Sequence, residues 1–107
     1  MLKFAIAAAV ALLSASPVLA ECYDIGCTDQ DRFDRSDLRE WSCDDLWVAR
    51  NTIYFEHGYC FKTDAAIEYF GNDQCYVENA NRLNFSRIEQ HNIDAIATVE
   101  KSRRCPK

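Results

Sequence analysis

Hydrophobic residues recur at helical spacing in three stretches of the chain. In SCDDLWVARNTIYFEHG they fall on one face, three to four positions apart, at Leu46, Ala49 and Ile53. Ser42 opens this stretch with a capping hydroxyl, and Gly58 closes it as a typical helix stop. The pattern predicts a long helix over residues 43–57.

Two more helices are predicted on either side of an Asn-rich loop. DAAIEYF lies between Thr63, a capping residue, and Gly71, and predicts a short helix over residues 64–70. SRIEQHNIDAIATVEKSRR begins with Ser and Glu at capping-box spacing and predicts a helix over residues 86–103. Its buried face would consist of Ile88, Ile93, Ile96 and Val99. DLREW, residues 37–41, adds one helical turn, and no stretch of any length alternates as a strand would. The expected fold is therefore all-α, with the two longer helices packed together.

The beginning of the chain has the features of an export signal. Residues 1–20, MLKFAIAAAVALLSASPVLA, combine an early lysine, a short apolar run and small residues at the end, which is typical of a secretory signal peptide. We therefore expect cleavage after Ala20 and a periplasmic or secreted protein. Lipid attachment at Cys22 would require a small residue where Glu21 stands, which argues against a lipoprotein.

All six cysteines lie beyond the predicted signal peptide, which indicates three disulfide bonds in an oxidising compartment. Zinc binding would favour paired CxxC spacing, and the sequence has none. A continuous helix between Cys43 and Cys60 would hold them more than about 20 Å apart, whereas bridged Cα atoms lie within about 7 Å. That pair is therefore excluded. The favoured pairs are Cys22–Cys27, Cys43–Cys105 and Cys60–Cys75.

The charge of the chain bounds its partners. It carries 12 basic and 17 acidic residues, a balance that phosphate backbones and anionic lipids repel. We expect no nucleic-acid partner, no membrane insertion and, without a glycine-rich phosphate loop, no cofactor. Residues 21–35 are predicted to form an irregular acidic arm before the helical domain, 36–107. Its DQDRFD segment hints at a calcium loop, but Arg32 and Phe33 stand where ligands and a sharp turn are required, so no metal is expected.

Two charged side chains interrupt the apolar face of the first long helix. Arg50 and His57 share that face with Leu46 and Ile53. A desolvated ion without a partner is costly, so partners should come from the last helix, at Glu89, Asn92 or Glu100. The favoured interpretation is a buried polar lock between the helices.

Functional alternatives stay open beside this lock. A binding site would use Arg50, Asn51, Tyr54, His57 and Tyr59. A minimal hydrolase would place His57 beside Glu56 in an open cleft. A protein-interaction or inhibitor-type module would use an exposed aromatic patch drawn from Tyr23, Phe33, Trp41, Trp47, Tyr59, Tyr69 and Tyr76. We expect a non-catalytic protein.

LWVARNTIYFEHGYCF resembles the YARHG domain, a small extracytoplasmic module of bacterial envelope proteins named for the sequence Tyr-Ala-Arg-His-Gly. The matching residues in this stretch are Arg50, Asn51, Ile53, Tyr54, His57, Gly58, Tyr59 and Phe61. The likeness covers roughly residues 36–100. Phe55 and Glu56 replace the name-giving Ala and Arg, and Cys75 replaces a common tryptophan. The resemblance implies no enzymatic activity, and a binding or structural role toward an envelope protein or a cell-wall component.

Overall fold

The computed structural model describes residues 21–106 and contains four α-helices in that range. They are α1 (Arg35–Leu38), α2 (Cys43–Glu56), α3 (Asp64–Phe70) and α4 (Arg87–Ser102), with a 3-10 helix at Ala80–Arg82. The three predicted helices are confirmed, each to within one residue at either end. The turn expected at residues 37–41 forms earlier, as α1. The predicted signal peptide lies outside the described residues.

The fold is mostly helical rather than all-α, because the arm that was predicted to be irregular contains a hairpin. Strands β1 (Cys22–Tyr23) and β2 (Gly26–Cys27) pair antiparallel. Gly26 has a φ of +131°, and a Cβ there would lie 2.6 Å from the Cβ of Asp31, so this turn requires glycine. Strands of two residues are too short to produce the alternation by which strands are recognised in a sequence.

Each long helix begins at a side-chain cap that its sequence provides. Ser42 Oγ accepts the backbone N–H of Asp45 at 3.0 Å. Ser86 and Glu89 form a reciprocal capping box, with the two hydrogen bonds at 3.1 Å and 2.9 Å. A cap of this kind contributes about 1 kcal/mol to helix stability. The chain leaves α2 through Gly58 at a φ of +79°, a left-handed conformation that favours glycine.

Helices α2 and α4 pack antiparallel and form the core. The disulfide Cys43–Cys105 joins the start of α2 to the segment after α4, while His57, just after α2, contacts Glu89 in the first turn of α4. The facing side chains are buried together with two residues from the N-terminal segment, residues 21–41, which precedes α2: Leu46, Ala49, Ala95, Ile96, Val99, Phe33 and Leu38. Removal of this apolar surface from water is the main favourable contribution to folding.

Three disulfide bonds cross-link the fold. They join Cys22 to Cys27 across the hairpin, Cys43 to Cys105 between the long helices, and Cys60 to Cys75 around α3. These are the three pairs favoured from the sequence. Within residues 21–106, no helix is both long and apolar enough to cross a bilayer.

Candidate functional site

His57 is held by an acid from the facing helix. Its Nε2 lies 3.0 Å from each carboxylate oxygen of Glu89. Only 26% of the His57 side chain and 9% of the Glu89 side chain are exposed. The imidazole also packs against Phe85 in an edge-to-face arrangement, with ring centroids 4.9 Å apart at 76°. A carboxylate and an aromatic ring therefore fix the orientation of the imidazole.

The Glu89 carboxylate also belongs to the cap of α4. Its Oε1 accepts the backbone N–H of Ser86 at 2.9 Å, and the same oxygen faces His57. One acid thus closes the first turn of α4 and holds the end of α2 against it. The geometry couples the formation of this helix to the packing of the helix pair.

Arg50 makes a two-pronged ion pair with Glu100. Arg50 Nε donates to Oε1 at 2.6 Å and Nη2 donates to Oε2 at 3.2 Å. The exposed fractions of the two side chains are 27% and 11%. Paired parallel hydrogen bonds suit the planar guanidinium and are among the stronger polar contacts in proteins. Together with His57–Glu89, this pair links α2 to α4 at two separate points.

Replacing Arg50 by methionine is expected to lower the free energy of unfolding by about 2–3 kcal/mol, because Glu100 would be left as a largely buried charge without a partner. Lys62→Met offers a matched control, since Lys62 pairs with Glu78 at 2.9 Å in an exposed position. Its loss should be below about 0.5 kcal/mol. Chemical denaturation of both variants measures the difference, and equal losses would contradict a buried role for Arg50.

Asn92 bonds to the N-terminal segment rather than to the charged residues of α2. Its Oδ1 accepts the backbone N–H of Phe33 at 2.7 Å. Its Nδ2 donates to the carbonyl oxygens of Thr28 at 2.9 Å and Asp31 at 2.8 Å. The side chain is fully buried. Of the three partners expected on the last helix, Glu100 and Glu89 therefore serve Arg50 and His57, and Asn92 does not.

The five predicted binding residues lie in two places. Arg50, Asn51 and Tyr59 line a groove of about 620 Å³ between α2, α3 and α4. Asn51 also donates to a backbone carbonyl of its own helix at 2.9 Å. Tyr54 and His57 are not among the residues that line this groove, and both pack against one phenylalanine ring. The structure thus brings three of the five together.

Glu56 is not paired with its neighbour His57, because the imidazole of His57 faces another acid, Glu89. Both carboxylate oxygens of Glu56 are buried and lack a hydrogen-bond partner within residues 21–106. Burial raises the pKa of Glu56 to about 7; the backbone amide of Glu21 opposes the rise, and the acids Glu21, Glu89 and Asp29 add to it. The sequence drew attention to Glu56 as a departure from a signature, but its burial depends on the tertiary structure.

Five of the seven residues of the predicted aromatic patch are buried or half-buried, including Trp47 and Tyr59. Three members cluster on the core with ring centroids 5.1 to 6.4 Å apart, namely Tyr23, Phe33 and Trp41. Trp47 packs edge-on against Tyr69 at 5.8 Å. Tyr69 and Tyr76 remain well exposed, at 61% and 76%. In the described part of the chain, no three His, Cys, Asp or Glu side chains are arranged to hold a metal ion.

Comparison with protein families matches residues 21–101 to the YARHG domain. The matched range includes the hairpin, the first three helices and both polar pairs that link α2 to α4. No curated protein and no solved structure matches the chain. Because the match covers most of the sequence, the resemblance seen in LWVARNTIYFEHGYCF is confirmed, and the chain belongs to the YARHG domain family.

Proposed function

We propose that this chain is a non-catalytic module of the bacterial envelope, which binds a partner or supports envelope structure. The disulfides and the family fit an extracytoplasmic protein. The observation that carries the proposal is the pairing of Arg50, on the inner face of α2, and of His57, just after this helix, with acids of α4. Arg50 is satisfied by Glu100 and His57 by Glu89, so each is committed to the contact between helices.

Catalysis would need a group free to reach a substrate. A general base must come within hydrogen-bond distance of the proton it removes, whereas His57 Nε2 faces a carboxylate that also caps a helix. A thiolate nucleophile would need a free cysteine, and none is free within residues 21–106. These contacts support a lock between helices over a reacting pair.

The groove lined by Arg50, Asn51 and Tyr59 is the surface we assign to a partner. It combines an aromatic ring, an amide and the ammonium of Lys62, which lies 5.8 Å from the centre of the Tyr59 ring. An aromatic face beside hydrogen-bonding groups suits a glycan or a peptide of the cell wall. A cell-wall component is therefore the partner class to test first.

A protein-interaction module is the second candidate, and exposed aromatic side chains favour it. Tyr69 packs on Phe70 at 4.7 Å, and Phe70 packs on Phe55 at 5.4 Å. Tyr69 is 61% exposed and Phe55 39%. Phe55 and Tyr76 line a common cavity. The exposed rings thus form a strip that runs through Tyr69, Phe70, Phe55 and Tyr76. Aromatic strips of this kind are favoured at protein interfaces.

Binding to purified cell-wall fragments separates the two candidates. We would compare an Asn51→Ala, Lys62→Ala groove variant with a Tyr69→Ser, Tyr76→Ser strip variant, and use Thr98→Ala on the exposed side of α4 as the control. The proposal expects the groove variant to bind roughly tenfold or more weakly, the other two to bind as the wild type, and no fragment to be cleaved. Cleavage that His57→Ala abolishes in a folded protein would contradict a non-catalytic role.

A further inference from the structure

Glu56, the last residue of α2, has a buried carboxylate that no described residue neutralises. Both oxygens are shielded from solvent, and neither has a hydrogen-bond partner within residues 21–106. The side-chain charges that raise its pKa come from acids, which are Glu21 and Asp29 in the N-terminal segment and Glu89 on α4. A desolvated carboxylate among acids is unfavourable unless it takes up a proton or meets a cation.

The backbone nitrogen of Glu21 is held beside this carboxylate. Its N–H favours the charged form of Glu56 and lowers the pKa, although it does not satisfy hydrogen-bond geometry. The position of this residue is fixed, because its carbonyl oxygen accepts the backbone N–H of Thr28 at 3.0 Å. The next residue, Cys22, is bridged to Cys27. The hairpin therefore presents the Glu21 nitrogen to the end of α2.

The sequence predicts that the bond to this same nitrogen is the one cut on export. Hydrolysis of the Ala20–Glu21 peptide bond by a signal peptidase consumes one water molecule, leaves a carboxylate on Ala20 and frees the amino group of Glu21. That amino group takes up a proton at neutral pH, since the ordinary pKa of an α-amino group is about 8. An amide nitrogen with one N–H thereby becomes an ammonium with three N–H donors and a positive charge.

We propose that the α-ammonium of Glu21, freed by removal of the signal peptide, binds the Glu56 carboxylate as a buried ion pair and completes the fold. The inference does not depend on the proposed function, since it concerns the maturation of the chain. It supplies a cation to a carboxylate that has no hydrogen-bond partner within residues 21–106 and whose pKa nearby acids raise. It also gives a reason for Glu56 to stand where the family signature has an arginine, because an arginine would repel the ammonium.

The unprocessed and processed chains should respond oppositely to pH. In the unprocessed chain, burial raises the pKa of Glu56 from 4.5 to about 7. The folded state then binds a proton that the unfolded state releases, so stability falls as the pH rises through that interval. In the processed chain the ammonium lowers the pKa of Glu56, so the stability from this pair is present at neutral pH and is lost in acid. Tyr23 does not contribute to this pH dependence, because burial and nearby acids raise its pKa to about 12 and it stays uncharged in this interval.

The test compares two forms of the protein at pH 7. One begins at Glu21 with a free amino group, and the other carries a Gly-Ser extension before it. Each is unfolded by denaturant as wild type, as Glu56→Gln and as Glu40→Gln, an exposed control. In the free-amine form, Glu56→Gln should lower the ratio of folded to unfolded protein by roughly tenfold or more. In the extended form the same change should raise it, because it removes a buried charge without a partner. A loss of equal size in both forms, or a gain in both, would overturn the proposal.

A second measurement covers the case in which a variant does not fold. The rate at which an acylating reagent modifies the α-amino group is followed against pH in the wild-type free-amine form. The proposal expects a pKa above the ordinary value of about 8 and slow modification until the protein unfolds. Modification as fast as in a peptide with the same first residues would overturn it. So would an intact mass showing that the exported protein begins at a residue other than Glu21.

Discussion

Replacing Asn92 by alanine is expected to lower the free energy of unfolding by about 3–5 kcal/mol, one of the two largest effects that we predict. The Asn92 amide satisfies three backbone groups of the N-terminal segment, and its side chain is fully buried. Alanine would leave those groups without partners and would open a cavity beside Phe33. Chemical denaturation of the purified, oxidised protein gives the value.

Asn84→Ala is the matched control for this variant, since Asn84 is exposed in the loop before α4. Its effect should stay within about 0.5 kcal/mol of zero. Hydrogen exchange adds a local readout, because the Phe33 amide donates to Asn92 and should lose its protection first in Asn92→Ala. If Asn92→Ala unfolded like the control, the N-terminal segment would not depend on this contact.

Removing the disulfide Cys43–Cys105 by a double substitution to alanine is expected to lower the free energy of unfolding by about 4 kcal/mol. The bond closes a long loop, with a sequence separation of 62. It joins the start of α2 to the segment just after α4. Cys22–Cys27 has a separation of only 5, so its removal should cost about half as much. Denaturation of the two double variants tests this order. Equal costs, or the reverse order, would contradict the expectation that the bond closing the longer loop stabilises the protein more.

The helices could be predicted from the sequence because local signals and packing agree there. Ser42 and Ser86 mark the starts of α2 and α4, and apolar residues at helical spacing mark their inner faces. The hairpin could not, since its strands have two residues each and its turn depends on one glycine. Phe33 in the N-terminal segment is also buried, and no periodic pattern in the sequence predicts its burial.

The candidate site was predictable only in part. Helical spacing identified Arg50 and His57 as inward-facing, and an antiparallel partner helix made Glu89 and Glu100 suitable counterparts. Spacing could not tell which polar residue of α4 serves which neighbour, so the contact of Asn92 with the N-terminal segment was missed. Such contacts join residues far apart in the chain, and only the tertiary structure brings them together.

The aromatic residues show the same limit. Aromatic rings suit both a core and an interface, so composition alone cannot assign them. The rings of Tyr23 and Trp41 pack against each other, with centroids 5.1 Å apart, and against the core. Tyr69 and Tyr76 kept most of their surface exposed. Of the predicted aromatic patch, the strip around these two residues is therefore the part that stays available for an interface.

A double-mutant cycle on His57 and Glu89 tests the central claim, that the histidine of RNTIYFEHGYCF is a structural lock. Free energies of unfolding would be measured for His57→Ala, Glu89→Ala and the double variant. Glu89→Ala loses the capping hydrogen bond both in the wild type and in His57→Ala, so this loss cancels from the coupling energy. The lock predicts that His57→Ala destabilises the protein and that the coupling energy is about 1–2 kcal/mol. A coupling energy of zero, with His57→Ala as stable as the wild type, would contradict it and would leave His57 free for a ligand.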